Sequence, residues 1–335
     1  MRKLRFVCAG GWHTHAFDFP LDRAVKKAPH IEKEFVAVWD NDPIRGKQWA
    51  EALNCDLVEN YDDLIRLPDI DGILITCETT KHEELIVKAA NAGINIFVEK
   101  AMTVSNESAY RIRDAVKRSK VKFTVSDPVR HGDLLLAKKI VDEGRIGDTT
   151  FVRSRMGNRS ALDDLESMKR YYEIDSSGGG AMIDMNYHNV HRIQWFLGKP
   201  VRCSAILVPF TSYGKEKNID ENSVAVYEFE NGGIGVAETS WLVDGILKSF
   251  EVLGTKGIIR SDNAGFRYKI EDSDWIIVPK EDIPNEDIYP LRYWMECIRD
   301  DKSVEKYDVD SAVVYTEMIV AAYNSNRLSV PIEIR

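Results

Sequence analysis

The chain is short of several things, and each shortage removes a class of function. Only five of its 335 residues are cysteine, at 8, 55, 77, 203 and 297, with no close pair of the kind that holds zinc or shuttles disulfides. An odd, dispersed set fits a reducing compartment better than a disulfide framework, so a cytoplasmic location is expected. Long apolar runs are missing too. No stretch approaches a membrane span, and the run 6–11 behind the basic amino terminus is too short for a signal peptide. There is no excess of positive charge: the formal net charge is −9, which argues against a general binder of nucleic acid or anionic membrane. Internal repeats and low-complexity segments are absent. What is left, 44% hydrophobic and 30% charged residues over 335 positions, describes an ordinary globular chain long enough for two domains.

In the first 126 residues short apolar runs alternate with helical patterns. Residues 4–9, 35–39, 72–76, 94–98 and 122–125 read as strands, apolar almost throughout, as expected of parallel strands covered on both faces. Helices are expected near 16–27, 43–53, 82–92 and 107–119, with Pro43 suited to a first turn after Asp42 and Gly93 to a helix end. This alternation predicts a doubly wound parallel sheet of the Rossmann type over residues 1–126, with ligands at the carboxyl ends of its strands.

Three of those strand ends carry candidate groups. After the first come Gly10, Gly11, Trp12 and His13, a damaged dinucleotide fingerprint: with Gly10 at the second glycine position, Cys8 and His13 occupy the other two. Asp40 closes the second strand, where an acid accepts hydrogen bonds from an adenosine ribose, although thirty residues separate it from Gly10. The acidic run Asp40-Asn41-Asp42 would repel a 2′-phosphate, with Arg45 the nearest cation, so NAD is expected rather than NADP. Thr76, Cys77, Glu78 and His82 follow the strand 72–76, and Glu99 and Lys100 follow 94–98. A lysine partly desolvated at such an edge can hydrogen-bond a reacting oxygen.

Residues 127–335 are expected to form an α+β domain on an open, mostly antiparallel sheet. Its strand candidates are 150–156, 202–209, 222–229, 234–241, 248–253 and 257–260, with Asn231-Gly232-Gly233 a hairpin turn. A helix is expected over 133–143, a long polar loop over 157–175, a helix over 307–326 and a last strand over 330–334. Trp241 and Phe250 are placed on a sheet face that a second subunit would cover, making a homodimer or homotetramer. The run Ser177-Gly178-Gly179-Gly180 opens a helix on which Asp184, His188 and His191 project within roughly 60° of one another, with Ile183, Val190, Ile193 and Leu197 behind them. The same three residues have spacing that suits a metal, though none is assigned.

Two segments carry a resemblance to a known family. Ala92 to Ala101, AGINIFVEKA, is similar to the AGKHVxxEKP motif of the glucose–fructose oxidoreductase, inositol dehydrogenase and rhizopine-catabolism (Gfo/Idh/MocA) family, and Gly178 to His188, GGGAMIDMNYH, resembles its GGGxxxDxGxH. The resemblance covers nearly the whole chain. It implies a nicotinamide cofactor on the first domain and, on the second, a secondary carbinol of a sugar, inositol or related polyol. It implies Lys100 as the catalytic contact, Asp184 as the substrate-binding carboxylate and His188 as the acid–base residue. Glu78 and His82 fall where many members have ATPNxxH. Arg130 and Tyr172 are further candidates for substrate contact, as are Lys169, Arg170 and Tyr171. Ala101 stands where the motif has proline, which argues against a cis peptide after Lys100 by about 2.5–4 kcal/mol, and Asn186 replaces a glycine. Other outcomes compatible with the fold are a non-catalytic NAD-binding regulator and a hydrolase or epimerase that uses bound NAD transiently.

Overall fold

The computed structural model describes residues 2–126, 130–244, 247–285 and 287–334, and the side chains of 22–25 are left aside. The chain forms two compact units: Met1–Pro128 with Ile288–Thr316, and Val129–Asp287 with Glu317–Arg335.

Six strands build the first unit: β1 (Leu4–Ala9), β2 (Lys33–Trp39), β3 (Asp56–Leu57), β4 (Gly72–Ile75), β5 (Asn95–Val98) and β6 (Phe123–Val125). They pair in parallel in the order β3-β2-β1-β4-β5-β6. This is the doubly wound order, with its reversal point beside β1. The strands are apolar because both faces are covered: Ile73, Leu74, Ile75, Ile96, Phe97 and Val98 are all fully buried. Helices Pro43–Leu53, His82–Asn91 and Asn106–Ser119 fall where the apolar periodicity put them. Asp42 caps the first, accepting from the backbone N–H of Ile44 at 2.9 Å and of Arg45 at 3.2 Å. Instead of one helix over 16–27 there is a π-helical turn, Phe19–Arg23, followed by Ala24–Lys27.

The boundary at 126/127 needs one correction. Residues 127–129 lie outside the described residues, and the later segment Ile288–Thr316, assigned from sequence to the second domain, belongs to the first unit. Its helix Pro290–Arg299 buries Leu291, Trp294, Met295 and Cys297. Trp294 is fully buried between Phe6 and Phe97, with ring centroids 5.3 and 5.9 Å away, and its indole N–H donates to the Lys122 carbonyl at 2.9 Å. Gly72 makes the room: a Cβ there would lie 2.5 Å from Trp294 Cη2 and 3.1 Å from the Asn95 carbonyl.

The second unit carries β7 (Thr149–Gly157), β8 (Pro200–Val208), β9 (Asn222–Phe229), β10 (Ile234–Ser240), β11 (Leu247–Gly254), β12 (Gly257–Asp262), β13 (Gly265–Ile270), β14 (Ile276–Val278) and β15 (Ile332–Glu333). The sheet is open, in the order β14-β13-β12-β11-β7-β10-β9-β8-β15, and antiparallel except for the parallel pair β7–β10. Gly232, with φ +84°, turns the β9–β10 hairpin, and 254–257 turns β11 into β12. The expected loop 157–175 is instead wound into short helical turns, among them Ser160–Asp163, Leu165–Met168 and Lys169–Tyr172. Trp241 and Phe250, expected on an open face, are buried within the chain at 0% and 4% exposure. The exposed apolar residues of this sheet are instead Val201, Ile206 and Val208 on β8, Ile234 on β10 and Ile276 and Ile277 on β14.

Candidate functional site

In the first unit the expected cofactor residues meet at the carboxyl edge of the sheet. Gly10 adopts φ +77° and packs against Cys77, where a Cβ would lie 2.7 Å from the Cys77 backbone nitrogen. Thr76 donates its hydroxyl to the Gly10 carbonyl, and the His13 N–H donates to the Thr76 carbonyl at 3.1 Å. The end of β2 is tied in as well: the Gly11 N–H donates to Asp40 at 2.6 Å. Arg45 grips the Asp40 carboxylate with two nitrogens at 2.6 and 2.7 Å, reaches Asn41 at 2.9 Å, and stands 3.5 Å from Glu78. The cation beside the acidic run is therefore engaged by Asp40 and Glu78.

Burial favours the neutral form of Glu78, but its own backbone N–H, Asn41, Lys81 and Arg45 outweigh it and hold the carboxyl below its usual range. The Cys77 thiol is pushed well up by burial and by Glu78, so it is not a nucleophile. His82 is buried, which lowers its pKa against the opposing pull of three carbonyls. Its Nδ1 lies 3.0 Å from the Ala101 oxygen and 3.3 Å from that of Met102, and its Nε2 lies 3.2 Å from that of Cys77. His82 thus laces the turn after β4 to the turn after β5. Contrary to expectation the Lys100–Ala101 peptide is cis; the two carbonyls that follow it are held by His82, a fixed contact invisible in the linear chain. Trp12, His13, Glu99 and Lys100 are all buried, at 6%, 4%, 1% and 7% exposure.

In the second unit the glycine run opens a helix that is broken once, into Ala181–Asp184 and Asn186–Leu197, rather than continuous. Polar side chains line the buried face after the break. Asn186 turns inward, donating to Ser223 Oγ at 2.9 Å and accepting from Asn189 Nδ2 at 2.6 Å, while Arg192 donates to Ser154 at 3.1 Å. The glycines answer to neighbouring protein groups. A Cβ on Gly180 would overlap the Asp220 carbonyl and lie 2.7 Å from Ile219 Cγ2, and one on Gly179 would lie 2.6 Å from Tyr323 Cζ. Asp220 caps the turn, accepting from the backbone N–H of Gly180 at 3.1 Å and Met182 at 2.7 Å and from the Tyr323 hydroxyl at 3.0 Å. Burial raises its pKa, and those donors restrain the rise.

Between Ala181 and Ile193 every residue is buried except Asp184 and His188. The Trp241 indole N–H donates to Asp184 Oδ2 at 3.0 Å and fixes that carboxylate. His191 leaves the expected stripe: it is fully buried and stacked on Trp195 at 6.3 Å. Arg130 lies over the same indole at 4.4 Å. Tyr172 is buried, and its hydroxyl donates to Glu221 at 2.6 Å; burial and that carboxylate raise its pKa. Glu221 also accepts from Thr211 Oγ1 and from the backbone of Phe210 and Thr211. Asp220, Glu221 and the bond from Trp241 to Asp184 escaped the sequence reading. Asp220 and Glu221 had only a weak signal, two adjacent acids entering a strand.

A doubly wound sheet with a glycine turn after β1 and an acid closing β2 fits a dinucleotide. With a half-buried acid and imidazole on an otherwise buried helix in the second unit, this defines a dinucleotide-dependent oxidoreductase. The description "Oxidoreductase family, NAD-binding Rossmann fold" matches residues 12–127, and "GFO/IDH/MocA C-terminal domain" matches 134–260. The chain belongs to the Gfo/Idh/MocA family. It is 27% identical over 314 residues to scyllo-inositol 2-dehydrogenase (NAD(+)) of Bacillus subtilis, covering 88% of this chain and 87% of that one. It is 27% identical over 238 residues to inositol 2-dehydrogenase of Rhizobium meliloti, covering 70% and 69%. In fold it is similar to levoglucosan dehydrogenase in complex with NADH and levoglucosan, with a TM-score of 0.85, 18% identity, and 99% and 100% of the two chains covered.

Proposed function

We propose that this protein transfers a hydride between NAD and a secondary carbinol of a sugar, inositol or related polyol. The observation that carries the reading is the pair Asp184 and His188, the only residues of 181–193 that escape burial. Supporting it, relatives at 27% identity are named as dehydrogenases of scyllo-inositol, myo-inositol and inositol.

Gly10, Gly11, Trp12, His13, Asp40, Thr76, Cys77, Glu78, His82, Glu99 and Lys100 would hold the cofactor, which when bound supplies the hydride acceptor. His188 takes the hydroxyl proton, since imidazole changes charge near neutral pH. Asp184, its carboxylate fixed by Trp241, holds the substrate hydroxyl or orients His188. The Lys100 ammonium donates to the oxygen that becomes the carbonyl. Arg130 is proposed as a further substrate contact. Tyr172, expected from sequence as a substrate contact, is instead assigned a supporting role: its hydroxyl is engaged by Glu221 and its buried ring packs against Trp241.

The five cysteines are free thiols, which supports a reducing, cytoplasmic location. Among the described residues no helix is long and apolar enough to cross a membrane. The exposed Val201, Ile206 and Val208 on β8 support a homo-oligomer formed through the second sheet.

The test is a panel of inositols and sugars with NAD, read by NADH absorbance, for the parent protein and for Lys100→Ala and His188→Ala. Each variant is expected to lose about 10²–10⁴-fold in turnover while still binding NADH by fluorescence titration. Full turnover in either variant would reject its assigned role.

A further inference from the structure

The loop after β1 brings together three donors, His13, His15 and Glu99, of which only His13 and Glu99 are among the residues proposed above to hold the cofactor. His13, His15 and Glu99 each place one ligating atom within 4.8 Å of the other two. His13 Nδ1 and Glu99 Oε1 are 3.1 Å apart. Two donors on one tetrahedral ion with bonds of about 2.1 Å stand about 3.4 Å apart, so the pair needs only a small adjustment. The two imidazoles stand side by side with ring centroids 5.1 Å apart; the His15 backbone N–H now donates to His13 Nδ1 at 3.2 Å and is released when that lone pair takes the metal.

The surroundings of His15 are those of a metal-binding imidazole. Its Nδ1 lies 3.1 Å from Asp18 Oδ2. A proton on Nδ1 donated to that carboxylate leaves the lone pair on Nε2, the arrangement carboxylates impose on zinc-bound histidines. Glu99 gives the energetic motive. A carboxylate only 1% exposed, at the end of an apolar strand, is costly to keep charged. A dication beside it would offset that cost.

We propose that His13, His15 and Glu99 form a binding site for a divalent transition-metal ion, zinc foremost. Two imidazoles and a carboxylate make a mixed nitrogen and oxygen set that suits zinc and not magnesium or calcium, which take oxygen ligands. Three protein ligands leave a fourth position for water or a phosphate oxygen. This set is separate from Asp184, His188 and His191, where the sequence spacing had raised a metal as an alternative; it shares His13 and Glu99 with the proposed cofactor residues, so metal and dinucleotide would compete for them.

The experiment uses the full chain, stripped with a chelator and freed of dinucleotide, titrated with Zn²⁺ alone against a chromogenic competitor. One ion per chain is expected. His15→Ala, at a half-exposed residue whose loss leaves the core intact, should weaken binding by at least about 100-fold, and Asp18→Asn by about 10-fold. Glu99→Gln should weaken it like His15→Ala, and Mg²⁺ should not compete. Far-UV circular dichroism confirms that each variant is folded. A stoichiometry well below one, or a folded His15→Ala protein that binds Zn²⁺ as tightly as the parent, overturns the site. Because nothing in the readout requires turnover, a failed dehydrogenase assay leaves this result standing.

Discussion

Gly180→Ala offers a direct test of how the helix bearing Asp184 and His188 is placed. The new methyl group would overlap the Asp220 carbonyl oxygen and sit 2.7 Å from Ile219 Cγ2 and 2.8 Å from Asp220 Oδ1. Ordinary carbon contacts begin near 3.5 Å, so the first helical turn has to retreat by about 0.7 Å or more. The retreat stretches the bonds from Gly180 and Met182 to Asp220, which stand at 3.1 and 2.7 Å. Overpacking of this kind costs about 1–3 kcal/mol. For a unit of this size that corresponds to about 2–4 °C in Tm for each kcal/mol. The catalytic effect should be the larger one, because a misplacement of about 1 Å is worth about 100-fold in rate. The assays are a thermal melt and kcat with the best polyol found. Gly93→Ala is the control for backbone strain without a clash: φ is +76° there, against −103° at Gly180, and nothing lies within 4 Å of the added carbon. An unchanged Tm and kcat in Gly180→Ala, or an equal loss of kcat in the two variants, would refute the claim that Asp220 sets the helix position.

Two further outcomes follow from buried groups of the first unit. Trp294→Ala should cost about 3–5 kcal/mol in chemical denaturation, whereas Trp275→Ala, at a residue 38% exposed, should cost far less; equal costs would contradict the docking of Ile288–Thr316 on the first unit. His82 has a folded pKa below its ordinary value of about 6.5, so the unfolded chain binds the extra proton first. Stability should therefore be full above that value and fall as pH drops through the window down to the folded pKa. His82→Gln should flatten the fall in Tm over that window, and an unaltered pH profile would show that His82 does not titrate as argued.

How much of this could be read from the chain depended on how local each cause was. Parallel strands buried on both faces leave continuous apolar runs such as Ile73-Leu74-Ile75, so the first sheet was plain from sequence. The strand ends that carry Gly10, Asp40, Glu78 and Lys100 were plain for the same reason. Long-range packing was not. Trp294 belongs to the first unit through Phe6, Phe97 and a Lys122 carbonyl 172 residues away, and no local periodicity encodes such a partner. The inward turn of Asn186 was hidden as well, because its partner Ser223 lies 37 residues on. His191 looked like a member of the polar stripe because spacing alone cannot tell a surface from a buried ring stacked on Trp195. Trp241 was misplaced on an open sheet face for a related reason: its indole had a carboxylate to reach, Asp184, on another element.

The Trp294 seat beside Gly72 also bears on synthesis. A chain emerges from the ribosome amino end first, and its domains tend to fold in that order. Here the sheet of the first unit can pair its six strands once about residue 125 is out, yet the hollow at Gly72 stays empty until residues 290–299 follow. For that whole interval Phe6 and Phe97 lack their cover. The nascent first unit is thus an apolar surface waiting on a segment made much later, the state in which a holding chaperone has most to protect.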